Sequence, residues 1–140
     1  AFKEYQAQII KNAQAMADEL KNQGFRLVSG GTDNHLMLVD LTDKNVTGKD
    51  VQDALDRASI TVNKNGIPFD TKGPQVTSGI RIGTPAVTTR GMKEDEMRLI
   101  ASYIADVIKN ISNEQKITSV AQKIKVLCDR FPLYQGRLKN

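Results

Sequence analysis

Several residue types are scarce in this chain of 140 residues, and each scarcity excludes a class of structure. A single cysteine cannot form an internal disulfide, which favours a reducing compartment such as the cytoplasm. One histidine and one cysteine cannot build a structural zinc site, so we predict no metal centre. No apolar run approaches the roughly eighteen residues of a membrane-spanning helix, and the first residues do not form a signal peptide.

Aromatic residues make up only 5% of the chain and tryptophan is absent. Stacking platforms for single-stranded nucleic acid are therefore scarce, although the net charge of +4 keeps a basic nucleic-acid-binding domain as one alternative. Between residues 61 and 93 the lone acid is Asp70, and the basic residues are Lys64, Lys72, Arg81, Arg90 and Lys93. A locally positive, glycine-rich region of this kind favours small anionic ligands.

Hydrophobic periodicity predicts helices at both ends of the chain and in its middle. The first runs from Phe2 to about Asn22 and stops at Gly24. The second opens with Thr47 and Asp50 in the spacing of a capping box and continues to about residue 58. Apolar residues at helical spacing from 97 to 111 and from 117 to 131 predict two more, the last ending before a proline.

The segments between these helices predict a small sheet. Strands are expected at 25–29 and 35–41, joined as a hairpin, with a short strand at 60–62 and another around Arg81. Residues 63–76 contain two glycines and two prolines and are expected to be irregular. Because two strands follow each other directly, a purely alternating parallel fold is disfavoured. We predict an α/β domain of the α+β kind, a mostly antiparallel sheet with helices packed on it.

The segment from Thr77 to Pro85 is the most informative in the chain. Alternation places Ile80 and Ile82 on one face of a strand and Arg81 on the other. Glycines at 79 and 83 allow backbone or a ligand to approach closely. A guanidinium held on a strand is a rigid fork that suits a carboxylate or a phosphate. A solvated surface arginine is the alternative interpretation.

Three motifs in order give the chain a specific resemblance. They are Gly30-Gly31-Thr32-Asp33-Asn34-His35-Leu36, Asn63-Lys64-Asn65-Gly66-Ile67-Pro68, and Thr77 to Pro85 followed by Thr88-Thr89-Arg90-Gly91. Together they resemble the C-terminal part of serine hydroxymethyltransferase of the bacterial type, and the resemblance extends from the first helix to Phe131-Pro132-Leu133-Tyr134. It implies the small domain of a pyridoxal-phosphate enzyme with the aspartate-aminotransferase-like fold.

The resemblance also implies the reaction, the partners and the site. The family interconverts serine plus tetrahydrofolate with glycine plus 5,10-methylenetetrahydrofolate, a step of one-carbon metabolism and glycine biosynthesis, as a cytoplasmic homodimer or homotetramer. Arg81 takes the place of the arginine that binds the substrate carboxylate. Asn65 and the segment Gly73-Pro74-Gln75 take the place of folate contacts, although an aromatic residue often follows that proline and this chain has Gln75. Asn65 before Gly66 is also a strong turn pair.

Other polar residues receive structural interpretations. His35 has no nucleophile or metal partner nearby in the sequence and is expected to be a hydrogen-bonded structural histidine. Arg90 either contacts an anion or bonds carbonyls, and Cys128 lies on the apolar stripe of the last helix and is expected in the core.

The cofactor-binding lysine of the family follows a histidine, and this chain has no His-Lys pair. We therefore expect no catalytic residue here and an inactive isolated fragment, with pyridoxal phosphate bound mainly by a missing large domain. The chain begins at Ala1 and is predicted to be helical from Phe2, so we expect it to be a segment of a longer protein. Residues 1–24 are expected to lead in from the missing domain and residues 25–140 to form the small domain. A free-standing regulatory module for amino acids or folates is the main alternative.

Overall fold

The computed structural model describes residues 2–28, 36–84, 87–88 and 90–131. In this part of the chain, four α-helices accompany a four-stranded antiparallel sheet, which confirms the predicted fold class. The helices are α1 (Phe2–Asn22), α2 (Gly48–Arg57), α3 (Glu94–Lys109) and α4 (Glu114–Arg130). The strands are β1 (Arg26–Leu27), β2 (Leu36–Asp40), β3 (Asn63–Asn65) and β4 (Gly79–Gly83). A short 3₁₀ helix spans Thr42–Lys44.

The ends of α1 and α2 follow from local sequence. Gly24 adopts φ +91°, and the amides of Gly24 and Phe25 donate to the carbonyls of Lys21 and Leu20 at 2.9 Å each, which is a Schellman motif. Because this cap uses the amide of Phe25, the first strand begins at Arg26. At the start of α2 the Thr47 hydroxyl accepts from the Asp50 amide, and the Asp50 carboxylate accepts from the Thr47 amide. The predicted capping box is confirmed.

The sheet has the strand order β1-β2-β4-β3, and every neighbouring pair is antiparallel. The pairing of β1 with β2 agrees with the predicted hairpin, whose turn lies outside the described residues. On one face of the sheet, Met37, Val39, Ile80 and Ile82 are buried in a core shared with all four described helices. The apolar stripe of α1 is part of this core and packs against α3.

The strand predicted at residues 60–62 is wrong. Ile60 and Val62 are buried, but the ladder is formed by the polar residues Asn63–Asn65. The Ile60 amide donates to the carbonyl of Leu55 at 2.8 Å, where α2 ends, so it is not available to a sheet. The apolar signal at 60–62 reflects burial beside α2, whereas the strand itself is a polar edge strand. The irregular segment consequently begins at Gly66 and not at Asn63.

Among the described residues, no helix combines the length and apolar character needed to cross a bilayer. The predicted separation of residues 1–24 from residues 25–140 stays a prediction.

Candidate functional site

Strand β4 places Arg81 at the middle of the sheet. Its neighbours across the ladder are Leu38 on β2 and Asn63 on β3. Ile80 and Ile82 are buried on the helix-facing side, and Arg81 is exposed on the opposite side, as the alternation predicted. The Arg81 guanidinium has no hydrogen bond or ion pair with any residue that the structure describes. A cation fixed at its base and unpaired at its tip is available for an anionic ligand.

Asn65 lies on the same face of the sheet as Arg81. Asn63 pairs with Arg81 and Asn65 pairs with Gly79, so Asn65 and Arg81 are diagonal neighbours. Diagonal positions on one face lie about 7–8 Å apart, within the reach of one small molecule. The Asn65 amide nitrogen donates to the carbonyl of Gly66 at 2.9 Å, which supports the turn interpretation. The remaining amide oxygen accepts no hydrogen bond from the described residues. The structure thus brings the two predicted binding residues together.

The absence of a side chain at Gly79 lets other atoms of the protein lie close to its backbone, so no ligand occupies this space. A Cβ atom at this position would lie 2.8 Å from both Ile67 Cγ2 and the Val39 carbonyl oxygen, and 2.9 Å from the carbonyl oxygen of Asn65. The side chain of Ile67 therefore covers the Arg81-bearing face where β4 begins. Any larger residue at 79 would displace the loop from the sheet.

The loop between β3 and β4 is held together by Asp70. One carboxylate oxygen accepts from the amides of Ile67 at 3.2 Å and Ser78 at 2.9 Å. The other accepts from the Lys72 amide at 2.9 Å and the Ser78 hydroxyl at 2.8 Å. Hydrogen bonds from the Lys72 amide first, and then from Ser78 and Ile67, lower the pKa of Asp70 to about 2.

In the sequence, Asp70 stands out only as the lone acid of a basic segment, and its structural role was not predicted. A lone Asp in a stretch rich in glycine and proline was the available signal, because Asp side chains accept from nearby backbone amides in turns. Because its pKa is lowered, Asp70 stays ionised at neutral pH, and its negative charge remains among the basic residues of this segment.

Gly73, Pro74 and Gln75 form an exposed turn within the same loop. The carbonyl of Gly73 accepts from the amides of Val76 at 3.1 Å and Thr77 at 3.0 Å. The carbonyls of Val76 and Thr77 in turn accept from the first two amides of α2, at 3.0 Å each. A Cβ atom on Gly48, the first residue of α2, would overlap the Thr77 hydroxyl and the Gly79 carbonyl. The beginning of α2 therefore fixes the chain just before β4.

The chain that follows β4 is held by buried polar contacts with α1, which were not predicted from the sequence. The fully buried Asn12 donates to the Thr88 hydroxyl at 2.8 Å and to the Met92 carbonyl at 2.9 Å. The Thr84 hydroxyl donates to the carbonyl of Ile9 at 3.1 Å. A polar residue inside the apolar stripe of α1 was the signal, since a buried amide requires partners.

Arg90 and Cys128 both make contacts within the fold. An Arg90 guanidinium nitrogen donates to the Phe131 carbonyl at 3.0 Å. Of the two roles considered for Arg90, an anion contact or a bond to a carbonyl, the structure therefore shows the second. Cys128 is half-buried and packs against the core. His35, the residues 30–34, Pro85, Thr89 and the residues 132–134 lie outside the described residues.

A family model described as serine hydroxymethyltransferase matches residues 1–104 of the 140. The chain belongs to the serine hydroxymethyltransferase family. The matched span contains Arg81, Asn65 and the turn at residues 73–75. Membership of the family supports a transferase-related function for the chain.

The described residues do not fit pyridoxal phosphate by themselves. A site for this cofactor needs a lysine at its reactive carbon and donors for its phosphate. A core cavity of about 250 Å³ is lined mainly by apolar side chains, and Arg90 is the one cation among the described residues that line it. That arginine already bonds the Phe131 carbonyl. Among the described residues, moreover, no group of three His, Cys, Asp or Glu side chains is arranged to hold a metal ion.

Proposed function

We propose that this chain is the C-terminal small domain of a pyridoxal-phosphate-dependent serine hydroxymethyltransferase of the bacterial type. The enzyme interconverts serine plus tetrahydrofolate with glycine plus 5,10-methylenetetrahydrofolate. Arg81 binds the carboxylate of the amino acid, and Asn65 with the turn Gly73-Pro74-Gln75 contributes to the folate site. The observation that carries the proposal is the exposed, unpaired Arg81 guanidinium on the central strand β4, beside Asn65.

The geometry supports a role in holding the substrate. A guanidinium can accept a carboxylate through two parallel hydrogen bonds, which fix its plane as well as its position. Strand β4 is paired on both edges, so the backbone that carries Arg81 is held within the sheet. Holding the amino acid in one orientation lowers the entropic part of the barrier for a reaction at its other carbons.

The Asn65 side chain supports the folate assignment chemically. A carboxamide offers both a donor and an acceptor, which matches the mixed hydrogen-bonding edge of a pterin. At Gly73 and Pro74 no side-chain donor is available, so contacts there are made by the main chain. Gln75 is exposed and offers a carboxamide in place of an aromatic ring.

The cofactor chemistry belongs to the remainder of the enzyme in this proposal. Pyridoxal phosphate supplies an electron sink for the bond that is broken, and its lysine and phosphate donors lie outside this chain. The isolated chain is then inactive. Purified chain mixed with pyridoxal phosphate and dialysed is expected to lose all visible cofactor absorbance, and a retained band would contradict this part of the proposal.

The decisive experiment places Arg81 variants in the complete enzyme, or in a hybrid of this chain with the upstream part of a homologous one. Arg81→Ala is expected to lower kcat/KM for serine about 100- to 1,000-fold, because a charge-assisted bidentate contact is lost. Arg81→Lys keeps the charge without the fork and is expected to lose at least about tenfold.

Arg57→Ala is the matched control, since Arg57 is an exposed arginine paired with Glu114 at 3.0 Å. It is expected to leave serine turnover unchanged. An Arg81→Ala enzyme that cleaves serine at the parent rate would end the assignment. It would favour the regulatory module, whose amino-acid or folate binding can be measured on the chain alone by calorimetry. Tight RNA binding that weakens steeply with salt would instead favour the nucleic-acid alternative.

A further inference from the structure

Asn65 is the one asparagine of the chain that a glycine follows. The backbone nitrogen of the next residue can attack the Cγ carbon of an asparagine side chain, and a glycine at that position has no side chain to block the approach. Such an attack needs no enzyme, because the two reacting groups are held together by the chain itself. The Asn65-Gly66 pair thus joins an electrophilic carbon to an unhindered nucleophile.

The structure leaves this nucleophile available. The ladder between β3 and β4 ends where Asn65 pairs with Gly79, so the exposed Gly66 lies beyond it. The Gly66 amide donates no hydrogen bond to any residue that the structure describes. The Asn65 side chain lies against Gly66, because its Nδ2 atom donates to the Gly66 carbonyl at 2.9 Å. Asn65 is also the last residue of a short edge strand, where local opening costs least.

Asn63 provides a comparison on the same strand and the same face of the sheet. It is exposed whereas Asn65 is half-buried, so exposure alone favours Asn63. The residue after it is Lys64, whose side chain hinders the attack and whose amide already donates to Gln52 Oε1 at 2.7 Å. The available amide and the missing side chain of Gly66 therefore single out Asn65.

We propose that Asn65 is a site of spontaneous deamidation, and that the carboxylate formed there pairs with Arg81. The Gly66 nitrogen forms a bond to the Asn65 Cγ carbon, the side-chain nitrogen leaves as ammonia with the proton of the Gly66 amide, and a succinimide ring remains. Water then adds to either ring carbonyl and opens the ring to aspartate or isoaspartate. One water is consumed and one ammonia is released, with no change in oxidation state.

The new negative charge is formed beside Arg81. Asn65 and Arg81 are diagonal neighbours on one face of the sheet, and the guanidinium has no partner among the described residues. Diagonal positions about 7–8 Å apart are within the reach of a long side chain. The carboxylate therefore competes with an anionic ligand for Arg81. This consequence for serine rests on the proposed function, whereas the deamidation itself does not.

Peptide mapping by mass spectrometry tests the modification on the chain, incubated in mildly alkaline buffer made with heavy-oxygen water. Trypsin cleaves after Lys64 and so separates Asn63 from Asn65. Relative to an unincubated sample, the peptide with Asn65 is expected to exchange an amino group for a labelled hydroxyl and to divide into aspartate and isoaspartate forms. The peptide with Asn63 is expected to keep its mass.

Gly66→Ala is the matched variant. Its Cβ atom would lie 3.8 Å from Asp70 Oδ2, which is an ordinary contact, so the loop keeps its shape. The added methyl group hinders the attack and is expected to slow the conversion of Asn65 at least about tenfold. Conversion of Asn65 that is no faster than that of Asn63, or that is equally fast in Gly66→Ala, would overturn the proposal.

The pairing with Arg81 is tested in the complete enzyme, aged under the same conditions. Deamidated parent enzyme is expected to show a KM for serine about two- to fivefold above that of fresh enzyme, because the new carboxylate occupies the guanidinium. Gly66→Ala enzyme aged alongside is expected to keep the KM that it had when fresh. An unchanged KM in deamidated parent enzyme would overturn the pairing.

Failure of this inference is distinguishable from failure of the proposed function. If Arg81→Ala abolishes serine turnover while Asn65 keeps its mass, only the modification site falls. If Arg81→Ala remains fully active while Asn65 is converted, the proposed function falls with the predicted effect on serine, and the modification site stands.

Discussion

The two sides of strand β4 have opposite physical requirements. On the helix-facing side, Ile80 and Ile82 are 0% and 4% exposed and fill the core. On the other side, Arg81 reaches solvent without a partner among the described residues, next to Leu38 and Asn63. Neighbouring residues of one strand are therefore under different constraints: packing constrains the two isoleucines, and in our proposal the substrate carboxylate constrains Arg81. Stability and ligand binding are expected to separate cleanly by substitution along this strand.

The largest expected effect on stability comes from a substitution on the helix-facing side of β4. Ile80→Ala removes a fully buried side chain and is expected to lower the free energy of unfolding by about 2–5 kcal/mol. Arg81→Ala, its neighbour on the exposed side, is expected to change that free energy by less than about 0.5 kcal/mol. Urea unfolding of the two variants measures the difference. Equal losses of stability would show that Arg81 makes structural contacts and would remove the contrast between the two sides.

A smaller effect is expected where α2 meets the residues before β4. Gly48→Ala places a Cβ atom against the Thr77 hydroxyl and the Gly79 carbonyl, and is expected to cost about 1–3 kcal/mol of unfolding free energy. Gly73→Ala is the matched control, because nothing lies within 4 Å of the added atom. It is expected to be neutral or slightly stabilising. The same urea titration compares them, and a neutral Gly48→Ala would show that α2 does not fix the start of β4.

These contacts also show where sequence reasoning succeeds. The helices follow from apolar periodicity, the capping box and the glycine stop, all of which are local signals. The exposure of Arg81 follows from simple alternation between two buried isoleucines. The third strand was misplaced because apolar residues 60–62 indicate burial, and burial next to a helix end is indistinguishable from burial in a sheet by composition alone.

The contacts that support the candidate site could not be predicted from the sequence, for a different reason. The bonds from Asn12 span 76 and 80 residues, and their partners lie in a segment without periodicity. The four bonds to Asp70 depend on the path of an irregular loop, which no repeat encodes. The position of Asn65 diagonal to Arg81 depends on the register of an edge strand. Such features become visible only when the chain is folded.

The smallest expected effect concerns the loop between β3 and β4. Hydrogen bonds to Asp70 hold this loop, whereas apolar packing holds the helix-facing side of the sheet. Asp70 has its pKa lowered from 3.8 to about 2. A carboxylate with a depressed pKa contributes stability in full above the pKa of the unfolded chain, and loses it as the pH falls through the folded value. The chain is therefore expected to lose the contribution of Asp70 between about pH 4 and pH 2.

Asp70→Asn removes the charge and part of the acceptor capacity. Thermal unfolding of both proteins from pH 6 to pH 2 is expected to show the variant less stable at pH 6, with the difference shrinking as the pH approaches 2. Ser78→Ala removes one of the four bonds and is expected to give a smaller change of the same sign. Because the loop carries the turn Gly73-Pro74-Gln75 of the proposed folate site, Asp70→Asn in the complete enzyme is expected to weaken the binding of tetrahydrofolate more than that of serine, which we propose Arg81 to bind from the sheet. A constant gap between variant and parent across this pH range would show that the carboxylate charge does not hold the loop.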